Sequence, residues 1–99
     1  MANHKNREIR GMVLKIIYSN YPEQIGDTLI KEILEDSGYV VSEQDIKANI
    51  DYLQGGGYIE SNNITNKGLG ISRTVCKLTP KGINLIEGNI EEDPGIEVI

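Results

Sequence analysis

The chain has 99 residues, 38% of them apolar and 25% charged with a net charge of −5, which fits one globular domain with a single modest core. Its one cysteine, Cys76, excludes an intramolecular disulfide framework, and Cys76 with the one histidine, His4, falls short of the about four ligands a zinc site needs. No apolar run approaches the roughly 18 residues of a membrane span and no leader pattern is present, so a soluble, cytoplasmic domain without cofactor, metal or membrane contact is expected.

Ile9, Met12, Val13, Ile16 and Ile17 recur at helical spacing and predict an amphipathic helix over Asn6–Ser19. Tyr21-Pro22 ends it, because a residue before proline is pushed out of the α region. Asp27 is the expected N-cap of a second helix carrying Leu29, Ile30, Ile33 and Leu34, closed by Gly38. Tyr39-Val40-Val41 gives three β-formers, enough for one short edge strand or a bridging turn. Ser42-Glu43-Gln44-Asp45 is a variant capping box opening a third helix, with Ile46, Ile50 and Leu53 on one face. Gly55-Gly56-Gly57 stops that helix.

Tyr58–Ser61 and Thr74–Leu78 then read as two strands, joined by a long Asn- and Gly-rich hairpin loop from Asn62 to Ser72. Thr79-Pro80-Lys81-Gly82 supplies an N-cap followed by proline at the first helical position, and Ile83, Leu85 and Ile86 make a short fourth helix ended by Gly88. Residues 1–88 are therefore expected to form the domain. Residues 89–99 follow as an acidic extension that trails off or docks loosely.

The expected class is mainly α with a small β-hairpin, in the order helix, helix, short strand, helix, strand, wing, strand, helix. That order is the one of a winged helix-turn-helix domain. The segment Val75-Cys76-Lys77-Leu78-Thr79-Pro80-Lys81-Gly82 resembles the strand-to-helix junction of winged-helix regulators of the ArsR, MarR and PadR kind, with its leucine–threonine–x–lysine/arginine–glycine signature. From about Arg7 to Gly95 the chain also resembles the small uncharacterised winged-helix proteins of Mu-like phages and prophages. The resemblance lies in Arg10–Ile17, Gly38-Tyr39-Val40-Val41-Ser42, Leu53–Ile59, Leu85-Ile86-Glu87-Gly88 and Pro94-Gly95. It implies the fold, and it implies binding of double-stranded DNA.

Charge is segregated along the chain. Residues 16–60 hold nine acids against Lys31 and Lys47, residues 61–86 hold Lys67, Arg73, Lys77 and Lys81 with no acid, and residues 87–99 hold five acids. In the usual docking the third helix enters the major groove and turns Gln44, Lys47, Ala48, Asp51 and Tyr52 outward. Gln44 suits an adenine edge, Lys47 guanine or phosphate, and Tyr52 a phosphate. Glu43 and Asp45 occupy the first turn, where they favour the helix dipole and oppose a phosphate.

In the wing, Lys67 and Arg73, with Lys77 and Lys81, suit a DNA backbone or minor groove, against the alternative of a merely solvated hairpin. Lys5, Arg7 and Arg10 suit phosphates or simply a solvated helix face. The acidic end is expected either to solvate the chain or to cover the basic wing of the same or another molecule.

No nucleophile–base–orienter set and no phosphate-loop signature occur, so no enzyme is expected, and Cys76 reads as a buried, inert thiol. The leading expectation is a phage- or prophage-derived DNA-binding protein with an accessory or transcription-regulatory role. The alternative is a winged-helix protein–protein interaction module without DNA affinity, working with a phage or host protein partner. A homodimer through the first helix, where Tyr18 and Tyr21 lie off the core stripe, is a further expectation.

Overall fold

The computed structural model describes residues 4–98; the first three residues, the side chain of His4, and Ile99 at the end of the predicted extension lie outside the description. The elements in chain order are α1 (His4–Asn20), β1 (Ile25–Gly26), α2 (Asp27–Asp36), α3 (Glu43–Gly55), β2 (Ile59–Asn66), β3 (Ile71–Leu78) and α4 (Pro80–Ile86). One antiparallel sheet runs in the order β1-β3-β2. The architecture is α+β, and the fold is a winged helix-turn-helix in which the β2–β3 hairpin is the wing.

Helix α1 buries Ile9, Val13, Leu14, Ile16 and Ile17, a stripe that packs against Ile30 and Leu34 of α2 and Ile46, Ile50 and Leu53 of α3. Met12, Ile33, Ile83 and Ile86, apolar positions of the predicted helices, lie partly buried at the margin of the core. Both ends of the turn between α2 and α3 are set by local hydrogen bonds. Gly38, with φ +94, allows the Gly38 N–H to reach the Glu35 carbonyl and the Tyr39 N–H to reach the Leu34 carbonyl, each at 3.0 Å. The predicted capping box opens α3: the Asp45 N–H donates to Ser42 Oγ, and the Ser42 N–H donates to Asp45 Oδ2, both at 3.0 Å.

The short third strand lies elsewhere than expected. Tyr39–Val41 forms no strand; the two-residue strand is Ile25–Gly26, pairing Ile25 with Cys76 and Gly26 with Val75. Burial decides the difference. Ile25 is held in the core beside β3, whereas Val40 is fully turned to solvent and only Val41 is buried. Nor is Asp27 the N-cap of α2, a place taken by Gly26. Asp27 is the first helical residue, and its carboxylate accepts from the N–H of Thr28 at 2.9 Å and of Thr74 at 3.4 Å, tying the start of α2 to the wing.

The wing is also longer in strand and shorter in loop than the sequence suggests. Pairing continues from Ile59 with Leu78 to Asn66 with Ile71, leaving only Lys67-Gly68-Leu69-Gly70 at the tip. Asparagine disfavours strands in isolation, but here a continuous ladder satisfies the backbone, and the Thr74 hydroxyl donates to Asn63 Oδ1 at 2.8 Å across it.

The wing's base is closed by the junction signature. Thr79 Oγ1 accepts from the Gly82 N–H at 3.1 Å, capping α4, and donates to the Gly57 carbonyl at 2.6 Å. A Cβ on Gly82 would lie 2.2 Å from the Tyr58 carbonyl oxygen, so only glycine lets α4 approach this closely.

The last residues are part of the packed structure. Ile96 joins the core, Val98 packs against it, and the Glu97 N–H donates to the Arg7 carbonyl at 3.1 Å. Rather than covering the wing of its own molecule, the acidic end lies along α1 and α3. The reason is visible in both partners. A Cβ on Gly11 would meet the Glu97 carbonyl oxygen at 1.8 Å, and one on Gly95 would meet the Tyr52 hydroxyl at 2.0 Å.

Candidate nucleic-acid interface

Along α3 the chain turns about 100° per residue, which gives the helix three distinct exposed or semi-exposed sectors. Gln44, Ala48 and Asp51 face outward and are exposed. On one side of them Glu43, Lys47, Asp51 and Gln54 border a polar groove of about 410 Å³, closed by Asp27 and by Ser61, Asn63 and Thr74 of the hairpin. On the other side lies Tyr52, facing α1 and the chain end.

The sequence-derived residues fall into three groups. Gln44 and Lys47 stay together on the exposed part of α3, in the position expected of a recognition helix. Lys67 sits at the wing tip, and Arg73 and Lys77 share the outer face of β3 by the two-residue alternation of a strand. Arg73 stands over Gly26, in a groove lined by Leu29, Ile64 and Val75, so it points away from the α3 side of the hairpin. Lys77 is paired across the ladder with Glu60.

Tyr52 is occupied. Its hydroxyl donates to Asp93 Oδ1 at 3.0 Å, and the Arg10 guanidinium lies 3.9 Å from its ring centre.

Of the acids at the start of α3, Glu43 borders the polar groove from an exposed position. Asp27 and Glu43 also border a second groove of about 320 Å³ with Glu32, Glu35 and Lys31. Asp45 is committed to its cap; the hydrogen bonds from the Ser42 backbone and side chain hold its carboxyl below the usual carboxylate range. Cys76 is buried, and its burial, with the nearby Asp27 charge, pushes the thiol up to about 12.

Sequence reasoning missed a polar cradle between α1, α3 and the chain end. Asp93 is its centre: Oδ2 accepts from the Tyr58 hydroxyl at 2.7 Å, and Oδ1 accepts from Tyr52 at 3.0 Å and from the Gly95 N–H at 2.8 Å. Burial alone raises the Asp93 pKa. The bonds from Tyr58, Gly95 and Tyr52, with the Lys81 charge, outweigh it and hold the carboxyl below its ordinary value. Burial and the same carboxylate push the Tyr58 hydroxyl up to about 12.

Arg7 Nε donates to the Pro94 carbonyl at 2.8 Å, and Arg10 donates to the Gly95 carbonyl and to Asn49 Oδ1, both at 3.1 Å. Asn49, buried on the apolar stripe of α3, leaves its Nδ2 without a hydrogen-bond partner among the described residues. Two features of the sequence bear on it: Gly11 in α1, on the face away from the Ile9–Val13–Ile16 stripe, and Asn49 beside the stripe of Ile46, Ile50 and Leu53.

Neither a family model nor a curated protein sequence matches the chain. Solved structures do match it in fold. A protein of Thermoplasma acidophilum described as a transcriptional regulator is similar over 74% of this chain and 69% of its own, with TM-score 0.58 and 20% identity. The circadian clock associated protein Pex of Anabaena is similar over 75% of this chain and 66% of its own, with TM-score 0.54 and 18% identity. These likenesses place the chain among winged-helix architectures. Among the described residues no helix is long and apolar enough to cross a membrane.

Proposed function

We propose that this chain is a winged-helix protein that binds double-stranded DNA in an accessory or transcription-regulatory role. It acts in the cytoplasm and works as a binding protein rather than an enzyme. The observation that carries the reading is the pairing of an exposed α3 face, holding Gln44 and Lys47, with a long wing that carries Lys67, Arg73 and Lys77 and no acid from Ser61 to Ile86. Contacts from such lysines and arginines to phosphates position a protein on the duplex, and the exposure of Gln44 on α3 supports a role at a base edge. The fold shared with a protein described as a transcriptional regulator supports the same role. The phage or prophage origin rests on the resemblance of Arg10–Ile17, Gly38–Ser42, Leu53–Ile59, Leu85–Gly88 and Pro94-Gly95 to proteins of Mu-like phages.

The acids bordering both grooves make the wing, not the α3 side of the hairpin, the main source of affinity. The double substitution Lys67→Glu with Arg73→Glu is therefore expected to lower affinity for a mixed-sequence duplex at least tenfold and to flatten its salt dependence. Unchanged binding by that variant would overturn the reading. A second reading, a protein-interaction module, is favoured by one observation, the run of Asp27, Glu32, Glu35 and Glu43 along the α2–α3 groove. It predicts that the same double substitution leaves capture of a basic protein partner intact.

A further inference from the structure

The cradle beneath the chain end gathers several positive and hydrogen-bond-donating groups. Arg7 and Arg10 project from one face of α1, Lys81 lies 4.8 Å from the Tyr58 ring centre, and the Tyr52 and Tyr58 hydroxyls donate into the same space. It already holds an anion, the Asp93 carboxylate. The segment that supplies this anion is strongly acidic, with Glu91, Glu92 and Asp93 in succession and Glu97 beyond them.

Position gives the cradle its meaning. On the α3 wheel, Tyr52 flanks the outward sector of Gln44, Ala48 and Asp51 on the side opposite Lys47 and the hairpin groove. A duplex lying on the outward sector would thus meet the wing along one flank and the cradle along the other.

We infer that Arg7 and Arg10 form a second phosphate-binding surface for duplex DNA, and that residues 93–97 occupy it as an internal substitute for the DNA backbone. The inference rests on the DNA-binding reading above. In the docked state the two guanidiniums are spent on the Pro94 and Gly95 carbonyls, and the neighbouring acids repel phosphate. Release of the segment frees Arg7 Nε and Arg10 Nη1 from those carbonyls, with Arg10 still positioned by Asn49 and the Tyr52 ring, and removes those acids from the DNA flank. Arg7 and Arg10 are the binding residues. Tyr52, Tyr58 and Asp93 hold the occupant.

Two glycines allow a test that leaves the charge unchanged. Gly11→Ala and Gly95→Ala each place a Cβ against the docked segment, from the α1 side and from the segment's own side. Both full-length variants are first checked for an intact fold by circular dichroism and for release by faster proteolysis within residues 89–98. Binding to a labelled mixed-sequence duplex is then measured from about 50 to 200 mM salt.

Freeing two phosphate contacts should steepen the slope of log K against log salt by about 1.8, at about 0.9 per contact. Affinity at the low-salt end should rise at least tenfold. Adding Arg7→Gln with Arg10→Gln to the Gly11→Ala variant should return the slope to that of the parent.

A released segment with unchanged slope and affinity, in a chain that does bind DNA, would overturn the inference while leaving the wing reading in place. Absence of binding by the parent and by both released variants would overturn the two together. Binding by the released variants alone would support the inference and overturn the wing as the main source of affinity.

Discussion

At Gly82 a single methyl group separates a closed wing base from an open one. Its missing Cβ is what lets α4 sit on the Tyr58 carbonyl, and that neighbour is backbone and cannot swing aside. Gly82→Ala is expected to destabilise the fold by about 1–3 kcal/mol, the usual range for overpacking, read as a lower midpoint in urea unfolding. A wild-type midpoint would show that α4 can shift without cost.

The Cys76 thiol is the opposite case, a reactive group made inert by its place. Buried and raised to about 12, it should react with a thiol reagent in the native state far more slowly than in urea. Equal rates would place it at the surface. Both residues were legible in the sequence, the glycine from the junction signature and the cysteine from the tendency of a free thiol to be buried, since its strand position alone left both faces open. Tyr52 was legible only in part, because helical spacing turns it outward without revealing that Asp93 takes its hydroxyl.

Elements built on local hydrogen bonds were read from sequence with little loss. The capping box at Ser42, the Gly38 end of α2 and the Thr79 cap of α4 all depend on neighbours within a few residues. Elements that depend on distant partners were not legible in the same way. β1 exists because Ile25 and Gly26 meet Cys76 and Val75 across the chain, and β2 extends through an asparagine-rich stretch because β3 is there to pair with it.

The chain end belongs to this second kind. Its docking follows from Gly11, Asn49, Tyr52 and Tyr58, four residues scattered over three segments, and acidity alone suggested solvent. Its pH dependence follows from Asp93. A carboxyl held below its unfolded value stabilises the docked state fully above that unfolded value, and the contribution is lost as pH falls through the lower, folded one. Tyr58 works at the other limit: its raised pKa stabilises the docked state below the ordinary tyrosine range, and that contribution is lost as pH rises towards about 12. Proteolysis of residues 89–98, sampled across pH, should therefore be slowest at intermediate values and accelerate towards both extremes. Asp93→Asn should remove the acid limb. An acid limb that persists in the variant would assign it to another group.

Over the whole molecule, opposite charges are sorted onto different structural parts. The wing carries bases, the α2–α3 grooves carry acids, and the acidic chain end lies against Arg7 and Arg10 of α1 through its Pro94 and Gly95 carbonyls. Such sorting governs association more than folding, since the core beneath it is an ordinary apolar cluster. It also makes the account testable as a whole, because phosphate contacts leave a signature in salt.

The most direct measurement is the fluorescence anisotropy of a labelled mixed-sequence duplex titrated with the full chain, between about 50 and 200 mM salt. The account predicts binding at the low end that weakens at least tenfold across that range. It also predicts loss of that binding on Lys67→Glu with Arg73→Glu. No binding at 50 mM salt by the parent chain, or binding indifferent to salt and to the wing substitutions, would contradict it.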